Sequence, residues 1–88
     1  MFAVLYEWRE HMPKEDVAKV IAQFTDMGEM PGTVAHYVRT DGQGGIIITN
    51  EEPPYSRSLA WSPFLKWDII MIAPVADVLA DVDAYINA

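Results

Sequence analysis

Asp41-Gly42-Gln43-Gly44-Gly45-Ile46-Ile47-Ile48-Thr49-Asn50 decides how this chain folds. Glycines and a polar pair make a tight reversal, and the β-branched run that leaves it reads as a strand entered from a hairpin. Ile46, Ile47 and Ile48 are apolar at consecutive positions, so both faces of that strand want cover and it belongs inside a sheet. Upstream, Thr33 to Thr40 alternates Val34, His36 and Val38 with Thr33, Ala35, Tyr37 and Arg39, which predicts the other arm of the hairpin.

Working outward, Phe2 to Arg9 predicts a first strand with Phe2, Val4, Tyr6 and Trp8 on one side and Ala3, Leu5, Glu7 and Arg9 on the other. Pro13 suits the first turn of a helix, Glu15 and Asp16 sit near its positive end, and Gly28 stops it. Val17, Val20, Ile21 and Phe24 give that helix its apolar stripe. After Asn50, Glu51-Glu52-Pro53-Pro54 favours the start of a short helix through Tyr55, Leu59 and Trp61, ended by Pro63. Trp67 to Ala73 predicts a fourth strand, with Ile69-Ile70-Met71-Ile72 again apolar on both faces. Beyond Pro74, Val75, Val78, Leu79, Val82 and Ile86 recur at helical spacing, and Asp77, Asp81 and Asp83 make the solvated side.

The order is β-α-β-β-α-β-α: an α+β, ferredoxin-like split βαβ with a four-stranded antiparallel sheet and an extra C-terminal helix, in one domain over residues 1–88. Helices on one face leave the other bare, and soluble monomers rarely expose several hundred Å² of contiguous apolar surface. A second copy packed sheet against sheet is the economical cover, so a homodimer is expected.

Composition narrows the partners. The chain has 88 residues, a net charge of −7 and only 6 Lys and Arg, which argues against nucleic acid and against an anionic membrane surface. No run approaches the ~20 apolar residues of a membrane span. The start lacks the basic and apolar regions of a signal peptide, and cysteine is absent, so a cytoplasmic protein without disulfides or thiolate metal sites is expected.

Several features together resemble a known group. The opening Val4-Leu5-Tyr6-Glu7-Trp8, the Gly42-Gln43-Gly44-Gly45 stretch, the Trp61-Ser62 pair, and Ala73-Pro74-Val75 followed by Asp77 resemble small domains of unknown function in the dimeric α/β-barrel superfamily, with its antibiotic-biosynthesis-monooxygenase-like members. The segment from Trp61 to Pro74 is longer than that pattern. The resemblance implies a dimeric α/β barrel with a cleft inside it. It implies no single reaction, because members range from cofactor-free oxygenases to isomerases to proteins without activity.

Candidate chemistry centres on His36, which can act as acid or base near neutrality; the alternative is a structural histidine bonded to a carboxylate or carbonyl. Asp68 is a candidate partner for it or for Arg39, and Glu7 with Arg9 could hold a polar ligand group or form a cross-strand or intersubunit ion pair. Tyr6, Trp8, Tyr37, Trp61 and Trp67, with Tyr55, could wall a pocket for an aromatic ligand or supply buried area in a small dimer. His11 with Glu10 or Glu15 falls short of the ligands zinc needs, so no metal is expected. No Ser-His-Asp elbow, phosphate loop or dinucleotide fingerprint appears, and no cofactor is expected. Two functions remain: a dimer that binds a small apolar or aromatic molecule in the barrel, as a cofactor-free oxygenase- or isomerase-like enzyme, or a non-catalytic interaction or regulatory module with an acidic surface.

Overall fold

Three proline residues and one alternating pattern lay out the chain. A computed structural model describes residues 1–88, in the order β1 (Phe2–Trp8), α1 (Lys14–Met27), β2 (Thr33–Val38), β3 (Gly44–Thr49), α2 (Tyr55–Trp61), β4 (Leu65–Met71) and α3 (Val75–Ile86). Each helix is entered through an extended proline, Pro13, Pro54 or Pro74, which cannot extend a helix backwards. Gly28 closes α1 at φ 72°, its N–H donating to the Phe24 carbonyl.

The strands form one antiparallel sheet in the order β2-β3-β1-β4, compatible with a ferredoxin-like fold. The register puts Tyr6 opposite Gly45 and Trp67, Val4 opposite Ile47 and Ile69, and Trp8 opposite Leu65. His36 stands opposite Ile47. Directly opposed residues share a face, so Val4, Tyr6, Trp8, His36, Ile47, Leu65 and Trp67 all lie on one side, the side that carries the helices.

There the core forms in two small clusters. Val4, Met30 and Ile47 make one; Val20 of α1, Trp61 of α2 and Leu65 of β4 make the other, with Tyr6 and Trp67 packed against both. Polar ties fix the helices to each other: Gln23 Nε2 donates to the Ala60 carbonyl at 2.8 Å, and Arg57 Nη1 donates to the Met27 carbonyl at 2.9 Å. The opposite face carries Leu5, Ile46, Ile48 and Ile70, and no helix covers it.

Several strand boundaries differ from the sequence reading; β1 and β2 end at Trp8 and Val38, short of Arg9 and Thr40. Gly44 and Gly45 belong to the strand, not to the reversal, which is confined to the turn around Gly42 at φ 76°. Asp41 stabilises that turn: its carboxylate accepts the Gln43 N–H at 3.0 Å, which with the Arg39 guanidinium beside it holds the acid below its ordinary pKa. The fourth strand starts at Leu65 and ends at Met71, earlier than Trp67–Ala73, because Leu65 already pairs with Trp8.

Candidate functional site

Glycine in a strand leaves a gap, and Gly45 leaves one beneath the longest side chain of β1. Tyr6 stands opposite Gly45, and a Cβ built there would come within 2.5 Å of the Tyr6 hydroxyl. With that space empty, the phenol lies across β3 and reaches β2. Its hydroxyl donates to His36 Nε2 at 2.6 Å. The other ring nitrogen, Nδ1, donates to the Glu29 carboxylate at 2.9 and 3.0 Å. The neutral imidazole protonated on Nδ1 satisfies both bonds at once. A carboxylate, an imidazole and a phenol thus form one hydrogen-bonded chain.

The phenol end of the chain is held protonated. Partial burial raises the Tyr6 pKa above its ordinary value, and the nearby Glu29 charge adds to the effect. Around it His36 and Trp8 pack edge to face at centroid distances of 5.6 and 6.4 Å, and Trp67 packs tilted at 5.9 Å. Phe24 of α1 approaches the imidazole from the other side at 6.3 Å.

These groups line a cavity of about 440 Å³ between the sheet and the helices α1 and α2, within the range of small-molecule sites. Most of its wall is apolar. Its polar groups are few: the Glu29–His36–Tyr6 chain, Arg57, and the indoles of Trp8, Trp61 and Trp67. The Trp8 indole donates to the Gly42 carbonyl at 2.8 Å. The Trp67 indole N–H, by contrast, is buried and has no acceptor. A donor left so costs about 1–3 kcal/mol. The mouth is marked by apolar lining residues that stay exposed, Ile21 and Phe24 on α1 and Val38 on β2.

Of the residues singled out in the sequence, His36, Tyr6, Trp8, Trp61 and Trp67 come together here. Glu7, Tyr37 and Asp68 do not: strand alternation turns them to the other face. Glu7 lies opposite Lys66, with Oε1 and Nζ 4.0 Å apart. Asp68 stands opposite Leu5, away from both His36 and Arg39, and Tyr37 stands exposed opposite Ile46. Arg9 Nε donates to the Ser62 carbonyl at 2.6 Å. The cavity itself is on the helix-bearing face, whereas the resemblance implies a cleft between two sheets.

Glu29, Arg57 and Gly45 were missed. Glu29 sits in the connection between Gly28 and Pro31, where no periodicity speaks, although the space a glycine opens in a strand was a readable signal at Gly45.

The helix-covered antiparallel sheet with its open cavity makes this a small α+β domain compatible with a ferredoxin-like fold. Compared with family models, curated proteins and solved structures, the chain finds no match in any of the three. No helix is long and apolar enough to cross a membrane.

Proposed function

We propose that this chain forms a homodimeric α/β barrel whose subunits each bind a small apolar or aromatic molecule in the helix-side cavity and move a proton on it, in an isomerase-like reaction. The observation that carries the reading is the Glu29–His36–Tyr6 chain ending in the cavity wall. Aromatic walls would hold a planar ligand by area and edge contacts.

The chain conducts in either direction. With neutral imidazole, Tyr6 gives its hydrogen to Nε2, and the phenol oxygen can accept one from a ligand. When the imidazole is protonated, Glu29 compensates its charge, Nε2–H donates to the phenol oxygen, and the phenol proton turns to a ligand oxygen. Its raised pKa keeps Tyr6 protonated, so it would meet a developing enolate or phenolate as a hydrogen-bond donor and not as a free base, and it is a weaker proton donor than an ordinary tyrosine. Bare apolar groups on the outer sheet face supply the motive for the dimer.

Native mass spectrometry of the purified protein should retain a small organic ligand, and binding of small aromatic carbonyl compounds should shift the Trp67 indole resonance. His36→Gln keeps a polar side chain but cuts the relay. It should abolish turnover of the identified ligand while ligand affinity and sedimentation stay unchanged. Undiminished turnover in His36→Gln would refute the relay. Aromatic compounds that leave the indole resonances unmoved would refute the binding site.

A further inference from the structure

None of the 12 residues of α3 is buried, although the helix carries a continuous apolar stripe. Val75, Val78, Leu79, Val82 and Ile86 fall on one side; Asp77, Asp81 and Asp83 lie off it. Asp77 in the first turn and the Asn87 amide, which donates to the Asp83 carbonyl at 2.9 Å, are its only local support. So short a helix is marginal alone in water, and Asp83 sits in the last turn, where the helix dipole disfavours an anion.

The shape of the chain says the same in numbers. Its radius of gyration is 16.2 Å, against about 12 Å for a compact domain of this length. Its accessible surface is 6321 Å², about 1,100 Å² more than a compact monomer of this mass should show. That excess exceeds the ~800 Å² which each partner contributes to an ordinary stable interface. Its source is the path after β4. The Ile72 N–H still pairs with the Met1 carbonyl, and Pro74 remains extended at ψ 142°, so the chain runs on past the sheet before α3 begins. The longest dimension is accordingly 57 Å, against 24 and 18 Å for the others.

We propose that α3 is an exchanged arm, docked on a second copy of this chain across the mouth of that copy's cavity. The proposal rests on the homodimer suggested above and adds which surfaces meet. Two sheets packed by their bare faces around a two-fold axis along the barrel run β2-β3-β1-β4 and then β2-β3-β1-β4 again. The β4 edge of one copy therefore meets the β2 edge of the other. An arm that leaves β4 arrives beside β2 and α1 of the second copy. There, Ile21, Phe24 and Val38 stand exposed at the cavity mouth, unfilled by anything in their own chain. A stripe of valine, leucine and isoleucine laid over that rim buries both apolar surfaces and shuts the cavity from water. Each binding site is then completed by the other copy.

Isotope-filtered nuclear Overhauser spectra of a sample mixed from labelled and unlabelled protein test this directly. The methyl groups of Val78, Leu79 and Val82 should give contacts between chains to Ile21, Phe24 and Val38. Leu79→Asp and Val82→Asp should each weaken dimerisation by at least tenfold per arm, on the order of a hundredfold for the two arms together. Asp81→Ala should leave it unchanged. Because α3 is exposed in its own chain, these variants should keep the wild-type strand signals. A dimer whose α3 contacts are all within one chain, or whose affinity ignores both variants, overturns the arm and leaves the sheet-packed dimer standing. So does an α3 that orders only on adding another protein or lipid vesicles. A wild-type chain that stays monomeric at millimolar concentration overturns arm and dimer together, while ligand binding, measured separately, decides the cavity.

Discussion

Replacing Gly45 by alanine tests whether the gap in β3 is what lets β1 and β2 share a proton chain. The new Cβ would lie 2.5 Å from the Tyr6 hydroxyl oxygen, 2.7 Å from Cζ of the same ring and 2.5 Å from the Tyr37 carbonyl oxygen. Ordinary contact needs about 3.5 Å or more, so the phenol must retreat by close to 1 Å, and the backbone oxygen cannot step aside. A hydroxyl that moves so far leaves the 2.6 Å bond to His36. Overpacking of this kind costs about 1–3 kcal/mol, and the lost bond about 1 kcal/mol more. For a chain of this length, with roughly 4–13 kcal/mol of stability in total, a loss of about 2–4 kcal/mol lowers the melting temperature by roughly 10–25 °C. Thermal unfolding followed by tryptophan fluorescence reads the first effect. The His36 ring proton shifts read the second, since the imidazole loses the phenol above it. Adding Tyr6→Leu should restore part of the lost stability, because the shorter side chain vacates the contested space. A Gly45→Ala protein that melts within about 2 °C of wild type, with the His36 shifts unmoved, would refute the claim that this glycine positions the site.

Raised in the folded state, the Tyr6 pKa makes stability fall on the alkaline side only. Its contribution is complete below about pH 10, the unfolded value, and is lost as pH rises toward the folded one. Urea titrations above pH 10 should show this slope in the wild type and a weaker one in Tyr6→Phe. Leu5→Lys puts a cation opposite Asp68 on the bare sheet face, which suits the isolated sheet and buries a charge between two of them; sedimentation should show monomers with an unchanged circular dichroism spectrum. Val4 is fully buried beside Ile47 and Met30, so Val4→Ala should cost about 2 kcal/mol in chemical denaturation. A smaller loss than about 0.5 kcal/mol would mean that the core collapses around the vacancy.

The strands and helices were legible because each carries a clean period. Val17, Val20, Ile21 and Phe24 can only stripe a helix, and Phe2, Val4, Tyr6 and Trp8 can only share one side of a strand. The end of the hairpin was less legible, since Gly-Gly reads as a turn when nothing says that a tyrosine needs the space. Glu29 was not legible at all. It reaches His36 from a connection whose path depends on Met30 burying itself against Val4 and Ile47, a tertiary fact with no local trace. For α3, the period predicted the helix and its stripe, and nothing in the sequence said that its own chain would leave the stripe uncovered.

The mixed fortunes of the candidate site residues have one cause, and it could have been used earlier. Side chains alternate along a strand, so Tyr6 and Trp8 cannot wall the same pocket as Glu7, nor His36 the same pocket as Tyr37, nor Trp67 the same as Asp68. The sequence contains two parity sets, one of Tyr6, Trp8, His36 and Trp67, the other of Glu7, Tyr37 and Asp68. It does not say which set the helices cover; the core does, by packing Tyr6 and Trp67 against Val20 of α1 and Trp61 of α2. Once that is fixed, the division of labour follows from polarity. The covered set holds the rings and the one imidazole, which gain most from a dry cavity. The bare set couples a salt bridge at Glu7–Lys66 to the apolar patch of Leu5, Ile46, Ile48 and Ile70. Such a face suits a second sheet, with charges at its rim setting register and isoleucines at its centre supplying area. A ligand site and a sheet-to-sheet contact can therefore occupy the two sides of the same sheet, each built from its own parity of strand side chains.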